Sequence, residues 1–140
     1  MDGMTVSIVS WSDKQAELTT VRRAVFIEEQ NVPESIELDD RDPDCSHVLA
    51  YDGLGNPIGT ARIDAHGKIG RMAVLGEYRG LGVGREMLRT IMDWGTSRGI
   101  ADFHLSAQIG AVGFYRKMGF ETYGDEFEEA GITHVNMRPR

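Results

Sequence analysis

The run Arg79-Gly80-Leu81-Gly82-Val83-Gly84 is the segment of this 140-residue chain best suited to chemistry. It follows a short, largely apolar stretch, Lys68 to Leu75, that reads as a strand. It precedes a segment in which Met87, Leu88, Ile91 and Met92 recur at helical spacing until Arg98-Gly99. Glycines remove the side chains that would hold an anion away from the backbone. The unpaired N–H groups of the first helical turn, with the positive end of the helix dipole, point into the space left open. A pyrophosphate fits such a loop. Its spacing narrows the choice, because a Walker A loop needs Gly-Lys-Ser or Gly-Lys-Thr and here Gly84 is followed by Arg85-Glu86. A dinucleotide fingerprint needs Gly-x-Gly-x-x-Gly with an acid closing the next strand. The glycines fall at 80, 82 and 84, and Asp102 opens its strand instead.

Downstream, Leu105-Ser106-Ala107-Gln108 leads into Ala111-Val112-Gly113-Phe114-Tyr115-Arg116-Lys117-Met118-Gly119-Phe120. The pattern Arg-x-x-Gly-x-Gly at 79, 82 and 84, followed by Phe-Tyr-x-x-x-Gly-Phe at 114–120, resembles the two coenzyme-binding motifs of the GNAT superfamily of N-acetyltransferases, in the family's order. The resemblance is most distinctive from Met72 to Phe120 and extends, through the order of the other elements, over nearly the whole chain. It implies an α/β (α+β) fold, a mixed and mostly antiparallel sheet flanked by helices on both faces, as one domain over residues 1–140. It implies transfer of the acetyl group of acetyl-CoA to a primary amine of a small molecule or peptide, by direct attack while both substrates are bound.

By the same resemblance, Arg79, Gly80, Leu81, Gly82, Val83 and Gly84 hold the pyrophosphate. The edge of Met72-Ala73-Val74 pairs with the pantetheine arm and offers a backbone N–H to the developing oxyanion. Gln108, Ala111, Phe114, Tyr115 and Lys117 complete the coenzyme site, with Gln108 standing where many members carry Asn. Tyr115 matches the tyrosine often assigned as general acid; a phenol with a pKa near ~10 is neutral at pH 7 and can donate to the leaving thiolate. Packing beneath the coenzyme is the other reading of that ring. A sensor that binds acyl-CoA without turnover is the alternative function, since it keeps the loop and does not need Tyr115.

An ammonium must lose a proton before it attacks, and the candidate bases are Glu28 and Glu29 at the end of the first helix and His134 near the C-terminus. The acidic segment from Glu34 to Asp44 holds one arginine, Arg41, against six carboxylates. That segment, Asp39 and Asp40 included, is expected with Asp125, Glu126, Glu128 and Glu129 to form an anionic mouth that steers a cationic amine, or else to keep the chain dissolved, and Glu28 and Glu29 are further candidate acceptor contacts. Metal and covalent chemistry have no foothold: there is no Gly-x-Ser-x-Gly, no His-Glu-x-x-His and no paired cysteine motif. Asp40, Asp42 and Asp44 alternate like the start of a calcium loop, but Cys45 stands where glycine is needed and Tyr51 where glutamate is.

The elements that must position these residues follow from pattern. Thr5 to Ser10 alternates as a strand, and Ser12 with Gln15 suggests a capping box for a helix with an apolar face of Leu18, Val21, Ala24 and Val25, ended by Asn31-Val32-Pro33. Trp11 reads as a staple ahead of that cap. Residues 34–46 read as a loop, 47–51 and 57–64 as a hairpin, 68–75 and 102–107 as strands, 111–118 as a short helix, and 120–123 with 134–138 as a closing strand pair. A net charge of −7 argues against nucleic acid. No stretch spans a bilayer, the N-terminus lacks a signal-peptide layout and Cys45 is the only cysteine, so a cytoplasmic protein without membrane contact is expected. Two copies could pair through the C-terminal strands.

Overall fold

The computed structural model of the chain describes residues 3–140. Seven strands form one sheet: β1 (Thr5–Val9), β2 (Ser46–Tyr51), β3 (Pro57–Ile63), β4 (Lys68–Val74), β5 (His104–Gln108), β6 (Phe120–Glu129) and β7 (Ile132–Pro139). Their spatial order is β1-β2-β3-β4-β5-β7-β6. Every neighbouring pair is antiparallel except β4 and β5, which run parallel and are joined by the crossover helix α3 (Val83–Ser97). The sheet is thus mixed and mostly antiparallel, as expected from the sequence.

Alternation along the central strands sends side chains to two faces. Val48 and Ala50 join the main core with Val83, Met87, Leu88 and Ile91 of α3, all of them fully or almost fully buried. On the other face the His47 ring meets Trp11 of the first helix, α1 (Trp11–Arg22), and the Arg62 guanidinium meets Asp42, which an α1 arginine also holds. Helices therefore cover both faces.

Several local expectations are revised. Ser10, not Ser12, caps α1: its hydroxyl accepts from the Asp13 N–H at 3.2 Å. Trp11 is therefore the first helical residue, with its ring against His47 and beneath Arg22, and not a staple outside the helix. The helix does not stop at Arg22 but widens to π-helical winding over Arg23–Glu29, and Asn31 then turns with φ 59°. The segment read as a loop contains a four-residue helix, α2 (Glu34–Glu37), and a single turn at Asp42–Asp44. The closing strands are longer than predicted, because a bulge between Tyr123 and Phe127 lets β6 continue through its run of carboxylates. No helix among the described residues is long and apolar enough to cross a membrane.

The parallel pair is held at its start by Gly67, whose carbonyl accepts from the His104 N–H at 3.1 Å. Gly67 has φ 90°, and a Cβ there would lie 2.1 Å from the Asp102 carbonyl oxygen, a backbone atom that cannot swing aside. Gly67→Ala is expected to cost on the order of 3 kcal/mol, from overpacking and left-handed strain together, which lowers the Tm by about 10 °C in a domain of this size. Thermal unfolding followed by circular dichroism checks it.

Candidate active site

β4 and β5 pair at only two positions, Lys68 with His104 and Ile69 with Leu105. Beyond them the strands part. On its other side β4 stays bonded to β3 as far as Val74 opposite Gly59, so the edge of Met72-Ala73-Val74 that faces β5 has lost its ladder partner. A bulge marks the parting point: Thr60 pairs with Ala73 and Arg62 with Gly70, which leaves Arg71 and Met72 together opposite Ala61. Arg71 takes φ 50° there, and its carbonyl accepts from the Thr60 hydroxyl at 3.1 Å.

The opening is a cleft of about 1250 Å³ that runs from the glycine loop to the C-terminal strands. It is lined by all fourteen residues expected to contact the coenzyme: Met72, Ala73, Val74, each residue from Arg79 to Gly84, Gln108, Ala111, Phe114, Tyr115 and Lys117. In the loop, Gly80 (φ 78°) and Gly82 (φ 87°) adopt the left-handed conformation, and no atom lies within 4 Å of where their Cβ atoms would be. Gly82 is also the N-cap of α3, with no side chain over the first turn. This is a cradle a phosphate fits, at the positive end of a fifteen-residue helix. Gly84 differs, since its position packs on the Phe114 ring, 3.3 Å from a Cβ there, and so joins the two motifs.

Tyr115 sits on α4 (Val112–Lys117), 6% exposed, with its ring edge-on to Phe114 and Phe120. Burial pushes its phenol up to about 12, so it is a neutral donor at pH 7. His134 on β7 also lines the cleft, in register with Gln108 of β5. The Ile132 carbonyl lies 2.7 Å from its Nδ1, and an oxygen acceptor there requires the proton on Nδ1. Nε2 is the ring nitrogen left to exchange a proton with a ligand; it lies 3.9 Å from Glu129 Oε2, with the ring stacked on Phe127.

The other expected base and acceptor positions are placed differently. Glu28, Glu29, Asp40 and Glu126 are exposed and do not line the cleft. Glu29 is gripped by Arg79 through two bonds of 2.7 and 2.8 Å, and that hydrogen-bonded guanidinium holds its carboxyl below the usual range despite some desolvation. A carboxylate so held is a poor proton acceptor. Arg79 also donates to the Val74 carbonyl at 2.9 Å, so it straps the glycine loop to β4 and to the end of α1.

Three of the six carboxylates of the acidic segment, Glu37, Asp39 and Asp42, are drawn into an internal ion network, while Glu34, Asp40 and Asp44 are exposed. Arg22, 1% exposed, donates to Glu37 at 2.6 Å and to Asp42 at 2.7 Å, both buried. Arg62 donates to Asp39 through both terminal nitrogens and to Asp42 at 3.0 Å. Arg71 reaches Asp39 at 3.1 Å. Burial alone would raise the carboxyls of Asp39 and Asp42, but the arginine hydrogen bonds and charges outweigh it and hold both well below the ordinary range. The residues missed from sequence are these arginines and Gln30, whose carboxamide exchanges hydrogen bonds with Gln108 across the cleft at 2.8 and 3.4 Å. Nothing in periodicity marks them; the only available signal was that six carboxylates so close together need cations.

Removing Arg22 leaves buried Glu37 without a side-chain hydrogen bond and buried Asp42 with Arg62 alone, so Arg22→Met is expected to lose about 3 kcal/mol of stability. The network also sets an acid limit. Carboxyls depressed in the folded state stabilise it above their unfolded pKa of about 4, and that stability is lost as pH falls through the lower folded values. Urea unfolding from pH 7 down to pH 3 should show stability falling in the native chain and a flatter dependence in Arg22→Met.

Comparison with known proteins agrees with this geometry. The family model described as an acetyltransferase (GNAT) domain matches residues 11–140. The chain is 38% identical over 121 residues to the uncharacterized N-acetyltransferase YjcF of Bacillus subtilis, covering 84% of this chain and 86% of that protein. It is 31% identical over 128 residues to protein ElaA of Escherichia coli, covering 86% and 83%. The crystal structure of ElaA superposes with a TM-score of 0.83 over 98% of this chain and 99% of its own. An acyl-CoA N-acyltransferase from Pseudomonas aeruginosa, 24% identical, shares the fold with a TM-score of 0.85 over 98% of this chain and 99% of that one. The chain belongs to the GNAT family of acetyltransferases and is an acyltransferase, which sets the sensor reading aside.

Proposed function

We propose, from that membership, that the chain is an N-acetyltransferase that joins the acetyl group of acetyl-CoA to a primary amine while both substrates lie in the cleft. The observation that carries this is the continuity of one opening from the glycine cradle, past the unpaired edge of β4, to the imidazole of His134. Acetyl-CoA supplies an activated acetyl group as a thioester. The chain holds it by the N–H groups of the loop and of the first turn of α3, and by strand-like pairing along Met72-Ala73-Val74. A backbone N–H at the bulge donates to the oxyanion that develops as the amine attacks, at little reorganisation cost because the ladder to β3 fixes it beforehand.

His134 is the proton acceptor in this reading. Its Nδ1–H is committed to the Ile132 carbonyl, its Nε2 takes the ammonium proton, and Glu129 across 3.9 Å steadies the resulting imidazolium. Tyr115 donates a hydrogen bond to the leaving sulfur. A phenol raised to about 12 does not fully protonate a thiolate whose conjugate thiol has a pKa of about 8.5, so Tyr115 stabilises that charge and the proton itself comes from solvent. Cys45, the only thiol, is held above its ordinary pKa by burial and nearby carboxylates that outweigh Arg62. A neutral thiol is a weak nucleophile, which favours direct transfer over an acyl-cysteine intermediate. The reaction is placed in the cytoplasm, with no role for nucleic acid or membrane.

Calorimetric titration with acetyl-CoA, followed by thiol release against a panel of amines, tests the proposal; saturable binding with amine-dependent release is expected, and absence of binding overturns it. His134→Gln should lower kcat by about 10²–10⁴-fold, and Tyr115→Phe by roughly tenfold, with acetyl-CoA affinity within about threefold of the native chain in both. Gly82→Asn keeps the left-handed turn but fills the cradle, so the acetyl-CoA Kd should rise at least about tenfold with little change in Tm.

A further inference from the structure

Arg71 lines the cleft with donors that are not spent. It sits at the bulge of β4, next to Met72, and its Nη2 alone carries its hydrogen bonds, to the carbonyls of Ile36 and Glu37 and to Asp39, at 3.1–3.2 Å. Nη1 has no hydrogen-bond partner among the described residues. Nε lies 3.4 Å from Glu37 Oε1 but out of line, and it is the single buried side-chain polar atom without a partner among them. An unused guanidinium N–H in a polar cleft is costly, and the ordinary resolution is an anionic oxygen.

Charge at this end of the cleft points the same way. Three arginines, 22, 62 and 71, face three carboxylates, 37, 39 and 42, so the network is neutral, and Asp39 is shared between Arg62 at 2.6 Å and Arg71 at 3.1 Å. Two further cations, Arg41 and Lys68, line the cleft, as do two further carboxylates, Asp64 and Glu129. Arg41 and Lys68 give an anion bound beside Arg71 further cations to meet. Ile36, 45% exposed although its carbonyl binds Arg71, adds an apolar surface at the same place.

We propose that the acceptor carries a carboxylate as well as its amine, in the manner of an amino acid with an apolar side chain, and that the free Nη1 of Arg71 binds that carboxylate. This rests on the acetyltransfer reading. It revises the expectation that acidic residues select a cationic acceptor.

The test uses product-like probes, so it does not require the true acceptor. N-acetyl-L-leucine and its methyl ester are titrated into the native protein, with and without CoA, by calorimetry. The carboxylate should bind about tenfold or more tightly than the ester. Arg71→Met should bring the two within about twofold, and Arg71→Lys should keep part of the preference. Equal affinity in the native protein, or no binding of either probe, overturns the proposal. So does a preference that survives in a folded Arg71→Met. Acetyl-CoA titrated separately distinguishes the two levels: failure there sinks the transfer reading, whereas acetyl-CoA binding with no carboxylate preference sinks only the anion site.

Discussion

Two residue pairs hold β4 to β5, and all that the site contains lies where that pairing stops. A parallel pair needs a crossover, and here the crossover is the glycine loop and α3, so the element that closes the sheet also places a helix N-terminus at the mouth of the gap. The parting is enforced from both ends. Gly67 pins the strands at their start, and the extra residue at Arg71 bends β4 away after Ile69. Full pairing would stabilise the sheet and abolish the cleft; the unpaired edge is backbone left unsatisfied so that a ligand can satisfy it.

The second support is the arginine network, which turns an apparently unstructured acidic stretch into one wall of the cleft. Buried ion pairs seldom add much net stability over apolar packing, so the network is better understood through position. It ties α1, α2, the Asp42 turn, β3 and β4 to one another through guanidinium forks whose planar geometry admits few arrangements. His47, fully buried beside Asp42, extends it; burial holds that ring below its usual pKa and so neutral, and its Nε2 lies 3.0 Å from the Asp42 carbonyl.

The fold and the clustering of the glycine loop with the Phe114 to Phe120 run around one cleft were legible because their signals are local. Glycine spacing, the apolar period of α3 and the Phe114 to Phe120 run each report on backbone geometry within a few residues. The opposite wall was not, because it is built from pairs distant in sequence: Arg22 with Glu37 and Asp42, Arg71 with Asp39, Gln30 with Gln108. A carboxylate followed by others reads as a solvated run unless the partner cations are known, and those lie on α1, β3 and β4. The same blindness shortened β6, whose charges belong to an edge strand, and moved the cap of α1 by two residues, since Ser10 and Ser12 both satisfy the pattern and only geometry chooses.

The open edge of β6 has a consequence for how copies of this chain meet. An unpaired strand ten residues long is a template for another strand, and runaway pairing along such edges is the first step to fibrous aggregates. Asp125, Glu126, Glu128 and Glu129 stand on it, all exposed, and the bulge before Phe127 twists it out of flatness. A second edge laid antiparallel against it would bring carboxylates opposite carboxylates at strand spacing, where repulsion is greatest. Those charges, which line no part of the chemistry except at Glu129, act as a guard that keeps the sheet from growing.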